Sequence, residues 1–316
     1  MKQLTKLFSM SFVVATSLAF SQSSLAFEDI DKSLSAKDLT NVAIEIRMGE
    51  VDIIGWDKNE VHVSGELDKE VTEFVFREEN GQILIKTKYE SSKHSGSTDT
   101  DLTVKVPKTL RVNFDGVSGD IRLTDLLTNT RVNSVSGDVK AKTLRGSVEL
   151  SSVSGSIKAE SLEGKIRLSS VSGDISDKGS KGRLMINSVS GDITSQSSAL
   201  EVAIESVSGE VELKLGKVDE VSVSTVNSDI EAVLALQKNG SIKTNTVSGD
   251  AVIQFNNDVA GDFRLHASAG GRITNQITQA KEKRSKYGPN SKLNFQTGDA
   301  STTIIMNTVS GKLVVK

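Results

Sequence analysis

A short motif recurs at a fixed interval through the middle of the chain, and this regularity restricts the fold more than any other feature. Val-Ser-Gly, followed by Asp, Ser or Glu, begins at six positions spaced 18 residues apart: Val117, Val135, Val153, Val171, Val189 and Val207. Related tetrads begin at Val226 and Val247, and a last copy spans Val309 to Lys312. Such a period is typical of solenoids, in which each repeat packs on its neighbours.

Apolar residues divide each repeat into two halves of nine residues. From Val148 to Leu162 they recur at intervals of two, three and four residues, and Gly155 and Gly164 occupy matching places. An interval of two places alternate side chains on one face of a strand, and glycine allows the chain to turn a corner. All three apolar positions of a half, Val153 included, are therefore expected to point inward.

Positions 18 residues apart carry like residues, as stacked coils require. Two such columns are Val132, Leu150, Leu168, Ile186 and Ile204, and Val139, Ile157, Ile175, Ile193 and Val211. The sequence predicts an all-β fold: a single-stranded β-helix or β-solenoid with 18-residue coils, each made of two nine-residue halves.

The flanks of the repeats are less regular, and we divide the chain accordingly. Residues 27–112 are interpreted as an irregular β region that caps the solenoid, 113–257 as the regular repeats, and 258–316 as irregular C-terminal coils with a polar loop at 276–292. Alternation predicts N-terminal strands at Val42–Arg47, Val51–Ile54, Val61–Val63, Thr72–Phe76, Ile83–Thr87 and Leu102–Val106.

The flanks also contain a predicted turn, a predicted loop and a predicted edge strand. Asn80-Gly81 predicts a tight hairpin, and Ser91–Thr100 a polar loop. The repeat period lapses over 256–271, and 276–292 is a polar segment with no strand pattern. Lys312 and Lys316 are expected on an exposed edge strand, where charge discourages pairing.

The N-terminus carries the pattern of a secretory signal. Lys2 and Lys6 precede an apolar stretch, and Ser24-Leu25-Ala26 precedes the acidic Glu28-Asp29. We expect residues 1–26 to be a signal peptide, removed after Ala26, and no transmembrane segment to follow it. The alternative is an N-terminal membrane anchor, for which the apolar run is short. The mature protein is expected to be exported, to the periplasm or to the cell surface and beyond.

Composition removes several functional classes. The chain has no cysteine, which excludes thiolate chemistry and Cys-ligated metal, and only three histidines. A net charge of −3 lacks the basic excess of a nucleic-acid binder. No motif for a cofactor is found, and none is predicted.

Several motifs together resemble a known family. They are Gly49-Glu50-Val51-Asp52-Ile53-Ile54-Gly55-Trp56, Val104-Lys105-Val106-Pro107, the repeated Val-Ser-Gly-Asp, and the closing Gly298-Asp299 and Asn307-Thr308-Val309-Ser310-Gly311. The chain resembles the bacterial adhesin-like domain of unknown function called the toastrack type, over about residues 40–316. The resemblance implies a β-helix-like stack on an exported or membrane-attached protein, and it brings no catalytic residues.

Two sets of polar columns are candidate sites. The acidic column Asp120, Asp138, Asp174, Asp192 and Asp250 could bind calcium, but carboxylates at such corners more often accept bonds from backbone amides. The serine columns are Ser136, Ser154, Ser172, Ser190 and Ser208, and Ser134, Ser152, Ser170, Ser188 and Ser206. Without a histidine beside them they predict a hydrogen-bonded ladder and no nucleophile.

The longest cationic cluster and the aromatic residues are the remaining candidates. Partner binding is predicted at Lys281, Lys283, Arg284, Lys286 and Tyr287, although a charge run is often only a solvated loop. Trp56 and Tyr89 could stack on sugars, but they are more simply capping-region core residues. His62 is expected to be exposed and inert, since it points away from Val61 and Val63.

The sequence favours a non-catalytic, structural or adhesin-like interaction protein of the cell envelope, with an unknown envelope protein or glycan as its partner. Two alternatives stay open. One is a polysaccharide-acting β-helix enzyme, which needs converging carboxylates in a groove, and the other is a calcium-dependent adhesin.

Overall fold

The computed structural model describes residues 28–89 and 100–316. The predicted signal peptide and all but Thr100 of the predicted loop Ser91–Thr100 lie outside these ranges. Twenty-seven strands and no helix form within them. The all-β solenoid is thereby confirmed.

The strands lie on two faces of a stack. In spatial order, the first face contains β5 (Val71–Glu79), β6 (Gln82–Tyr89), β2 (Asn41–Met48), β8 (Arg111–Ser118), β10 (Thr130–Ser136), β12 (Arg145–Ser154), β14 (Glu163–Ser172), β16 (Lys181–Ser190), β18 (Glu201–Ser208), the second parts of β19 (Val211–Asn227) and β20 (Ile230–Ser248), β26 (Thr302–Ser310), β22 (Gly261–Ala267), β25 (Ser291–Gln296) and β24 (Lys283–Arg284).

The second face has a matching order. It contains β1 (Glu28–Ser35), β4 (Glu60–Leu67), β7 (Asp101–Pro107), β3 (Glu50–Trp56), β9 (Ile121–Thr124), β11 (Val139–Lys142), β13 (Ile157–Glu160), β15 (Ile175–Lys178), β17 (Ile193–Ser197), the first parts of β19 and β20, β21 (Ala251–Phe255), β27 (Lys312–Val315) and β23 (Arg272–Asn275).

Register follows the sequence period. Ser152 pairs with Ser134 and Ser170, each 18 residues away, and Ser208 pairs with Asn227 and Asn227 with Ser248, at the longer steps of 19 and 21. The two predicted apolar columns are buried, at 2% exposure or less throughout. Successive coils therefore superpose their tetrads, as the repeat predicted.

Glycine occupies one corner of most coils, where the backbones approach closely; Ser228 takes its place in the tetrad that begins at Val226. Gly137 has φ of +121°, and a Cβ on it would lie 2.1 Å from the carbonyl oxygen of Gly119 in the preceding coil. The same contact recurs one coil later, where a Cβ on Gly155 would lie 1.9 Å from the oxygen of Gly137. A side chain at Gly137 or Gly155 would therefore push these neighbouring coils apart.

The tetrad valines point outward, which corrects the sequence interpretation. The tetrad valines are exposed, by 44% at Val153 and 48% at Val135, whereas Ser152 before it is 4% exposed. Ladder pairing passes from Ser134–Ser152 to Ser136–Ser154 and omits the valines between them. The alternation that buries Val148 and Leu150 continues through Ser152, so serine lies inside and valine outside. Leu162, the counterpart in the other half, is buried as expected.

The chain order is rearranged at both ends of the stack. The coil of β2 and β3 lies between that of β6 and β7 and that of β8 and β9, and the coil of β26 and β27 lies between that of β20 and β21 and that of β22 and β23. The last strand is consequently not an edge: β27 pairs on both sides, and the edge expectation for Lys312 and Lys316 is wrong.

The predicted N-terminal strands all form, and Asn80 and Gly81 have positive φ in the turn between β5 and β6. One C-terminal expectation is wrong: 276–292 contains the short β24 and the first residues of β25. The period lapses over 256–271 because β22 in this segment pairs with β26 and β25, which both follow it in the chain. Antiparallel β24 and β25 cover this end of the stack.

Candidate interaction surfaces

The acidic column bonds one coil to the next. Oδ1 of Asp120 accepts from the amide nitrogen of Asp138 at 3.0 Å, and Asp174 and Asp192 do the same for the next coil at 2.9 and 2.8 Å. The series ends where Oδ1 of Asp250 accepts from Lys312 at 2.8 Å, across 62 residues of sequence. Corner amides are thus satisfied by carboxylates, and no group of three or more acidic or histidine residues in 28–89 and 100–316 is placed to hold a metal ion.

The serine columns divide into an outer and an inner row. The outer row, from Ser136 to Ser208, lies at the surface. The inner row, from Ser134 to Ser206, is 4–5% exposed. Three of its five hydroxyls donate to backbone carbonyls: Ser134 to Ser136 and Ser170 to Gly155, both at 3.3 Å, and Ser206 to Ser208 at 3.2 Å. The hydroxyls of Ser152 and Ser188 are buried without a hydrogen-bond partner among the described residues. A hydroxyl that bonds a corner carbonyl stabilises the turn, and in the described chain no histidine bonds these serines.

One polar group lies deep in the core. Asp177 is 1% exposed and occupies the column of Ala141 and Ala159; Ser180 and Ser195 donate to its carboxylate, the latter at 2.9 Å. Burial raises the pKa of Asp177, against the opposing effect of the two hydroxyls. The cluster is closed to solvent and has no room for a substrate.

The exposed valines form a ridge along the stack. We define the valine ridge as Val117, Val135, Val153, Val171, Val189, Val207, Val226, Val247 and Val309, which are 42–48% exposed. A groove of about 850 Å³ runs beside the part of the ridge from Val135 to Val226, with the buried inner serines as its floor. Its far wall is Asp115, Asn133, Ser151, Ser169, Asn187, Glu205 and Ser224. Sequence reasoning missed this surface, although recurrence of valine next to an inward serine was the available signal.

The predicted cationic cluster forms a hairpin at the C-terminal end of the stack. Lys283 and Arg284 in β24 pair with β25, and the Ser285 amide donates to the Asn290 carbonyl at 2.9 Å across the turn. Lys286 lies 5.3 Å from the ring centroid of Tyr287, which is 89% exposed. The structure therefore brings all five predicted residues into one small element.

The hairpin is anchored by an internal ion pair. Glu282 accepts from the Ile273 amide at 3.0 Å and from Nε of Arg284 at 2.7 Å. Burial would raise the pKa of Glu282, but the Ile273 amide and the Arg284 guanidinium outweigh it and hold the pKa below its usual value. Arg284 is consequently a structural partner of Glu282 as well as a surface cation.

The other cations of the hairpin face solvent. Lys281, Lys283 and Lys292 are exposed and line an open cavity of about 680 Å³, together with Asn290 and Asn294. Within the described residues none of these three ammonium groups is ion-paired. A cavity with three unpaired lysines and amide donors is suited to carboxylate or phosphate groups.

The aromatic candidates are largely used in packing. Tyr89 is 9% exposed, and its hydroxyl lies 3.3 Å from the Met48 carbonyl; Trp56 donates to the Glu60 carbonyl at 2.8 Å, with the Lys58 ammonium 4.8 Å from its ring. His62 points away from the core as predicted, but it is half-buried and bonds Ser33 at 3.0 Å. These residues hold the N-terminal cap.

Comparison with known families agrees with the fold. The family model for Toastrack DUF4097 matches residues 38–316. The chain belongs to this family. The predicted resemblance is confirmed over nearly the whole chain. No curated protein matches the chain.

Solved structures similar to this Toastrack chain have low identity to it. A candidate adhesin from Bacteroides fragilis is 14% identical, with a TM-score of 0.41, over 92% of this chain and 97% of that one. A candidate lipid-binding protein from Parabacteroides distasonis is 11% identical, with a TM-score of 0.40, over 90% and 96%. A candidate cell adhesion protein from Clostridium sporogenes is 11% identical, with a TM-score of 0.26, over 92% and 99%.

The polar groups of the Toastrack chain are of two kinds. Its repeated carboxylates and hydroxyls bond the backbone, and exposed cations converge at the C-terminal hairpin. Across the described residues, no helix has the length and hydropathy needed to cross a bilayer.

Proposed function

We propose that this chain is an exported, non-catalytic β-solenoid of the cell envelope that binds an anionic partner, an envelope protein or a glycan, through its C-terminal hairpin. The single observation that carries the proposal is the open cavity bounded by Lys281, Lys283 and Lys292, whose charges lack ion-pair partners among the described residues. Export is supported by the leader pattern of residues 1–26.

The rest of the stack serves to hold and display this hairpin. We propose that residues 27–112 and 258–316 act as caps and that the repeats of 113–257 act as a rigid spacer. Parallel ladders and interlocked chain order at both ends support this role, because they leave few segments able to move independently.

Charge reversal tests the binding site. Lys281→Glu, Lys283→Glu and Lys292→Glu in one variant should abolish retention of anionic envelope material, because attraction becomes repulsion at the cavity. The matched control is Lys158→Glu, Lys165→Glu and Lys217→Glu, which changes net charge equally at exposed lysines of the solenoid body. Deleting 276–292 is less informative because Ser291 is buried and Glu282 bonds Ile273.

Retention is measured on immobilised protein with envelope extract and with a purified polyuronate, at low and high salt. We expect wild type and control to retain the same material, and the hairpin variant to lose it. Sensitivity of that material to protease or to glycan-degrading enzyme identifies its class. Equal retention by all three proteins would exclude the hairpin as the site.

A further inference from the structure

The valine ridge is unusual because every other repeated apolar column of the solenoid is buried. Leu150, Ile157 and Leu162 of one coil are fully buried, while Val153 of the same coil is 44% exposed. Nine valines in line form a continuous apolar surface, and surfaces of this kind mark interaction sites.

The amount of surface is close to what a stable interface needs. At 42–48% exposure, and with roughly 150 Å² for a fully exposed valine, the nine side chains present about 600 Å², against about 800 Å² per partner in a standard interface. The walls of the adjoining groove can supply the remainder.

The repeat distance along the valine ridge indicates which partner can bind it. The valines repeat at the rise of one coil, about 4.8 Å, whereas alternate residues of an extended peptide repeat at about 6.6 Å. A peptide strand along the groove would lose register within a few coils. A second copy of this chain has the same rise and stays in register along the whole ridge.

Shape selects the orientation of the two copies. Ridge and groove lie side by side, so a two-fold axis parallel to the stack places the ridge of each copy opposite the groove of the other. A two-fold axis perpendicular to the stack would place ridge against ridge and groove against groove.

Charge favours the same orientation. The acidic column follows the ridge by three residues, as Asp174 follows Val171, and is interrupted at Ser156 and Lys312; it lies on the side away from the groove. The parallel arrangement brings it towards the far wall of the groove, which is neutral except for Asp115 and Glu205. The perpendicular axis would bring the acidic columns of the two copies together, which costs binding energy.

We propose that the valine ridge is a self-association surface, through which two copies pair side by side, in parallel, with the ridge of each in the groove of the other. This surface lies on the solenoid body and is separate from the C-terminal hairpin, so it goes beyond the proposed function.

Cross-linking tests the parallel arrangement of the two copies. Because the chain has no native cysteine, an introduced cysteine is the only thiol that reacts. Val135→Cys and Val226→Cys are prepared singly and treated with a short bis-maleimide, alone and mixed. These positions are five coils apart, about 24 Å. Parallel pairing predicts that each variant cross-links to itself and that the mixture gives no mixed product. Mixed product without self-product would show antiparallel pairing and overturn the proposal.

Sedimentation tests the surface itself. Wild type is expected to be a dimer at micromolar concentration, and Val153→Lys with Val189→Lys a monomer, because lysines at equal heights repel. The control, Leu127→Lys with Leu200→Lys, changes leucines that are equally exposed, at 45%, but lie off the ridge, and should remain dimeric. Unchanged melting temperatures verify folding. A monomeric wild type, or a ridge variant that still dimerises, overturns the proposal.

Discussion

The corner glycines make a sharp prediction because one atom decides each contact. In Gly191→Ala the new Cβ would lie 2.5 Å from the carbonyl oxygen of Gly173, at φ of +126°. Backbone strain of this kind costs about 1–3 kcal/mol, and it falls at the upper end for a conformation that only glycine adopts readily. Separation of the two coils adds to it, so we expect about 3 kcal/mol or more in the free energy of unfolding.

A second glycine supplies the control. At Gly216 the nearest atom to a new Cβ is Oγ of Ser198 at 3.7 Å, an ordinary contact, and φ is not positive. Gly216→Ala should therefore leave the free energy of unfolding unchanged or raise it by up to about 1 kcal/mol, because alanine reduces the conformational entropy of the unfolded chain. Urea unfolding followed by circular dichroism measures both. Equal midpoints for the two variants would refute the close approach of the coils at their corners.

Two further predictions concern carboxylates. Asp177→Asn should be more stable than wild type at pH 7. Because burial raises the pKa of Asp177 in the folded protein, the wild-type free energy of unfolding is highest below the unfolded pKa of about 3.9 and falls as the pH rises through the folded pKa. Thermal melts should show the gap shrinking at pH 3, and a gap that is constant with pH would contradict the burial effect. Asp174→Ala should lower the free energy of unfolding by about 1 kcal/mol, because the Asp192 amide loses its acceptor at 2.9 Å. Ser156→Ala is the control, since this position of the column has no carboxylate. Equal midpoints of urea unfolding for the two variants would count against the acidic ladder.

The candidate surfaces show where sequence reasoning succeeds. The cationic residues were found because charge runs are visible in sequence, but their role depends on contacts. Arg284 is paired with Glu282 and the lysines are not, and this distinction follows from the fold of the hairpin.

The valine ridge shows where sequence reasoning fails. In the sequence, Val153 and Leu162 occupy equivalent places in the two halves of a coil, and the pattern gives both the same inward direction. Alternation in β12 continues through Ser152 and leaves Val153 outside. In the other half, β13 ends at Glu160 and the chain turns at Ser161, with φ of +57°, so that Leu162 points inward. The polar residue at this turn leaves no trace in an apolar pattern.

The amino-acid sequence by itself determined the class of fold, the rise from coil to coil and the residues that stack, because every regular coil repeats the contacts of the one before it. Tertiary structure decided the two ends, where the coils of β2 and β3 and of β26 and β27 are inserted out of chain order. Local patterns are the same for a coil added in sequence and for a coil inserted from a distance, since both present the same strand edge. Only the difference in free energy between complete stacks with different coil orders selects one arrangement.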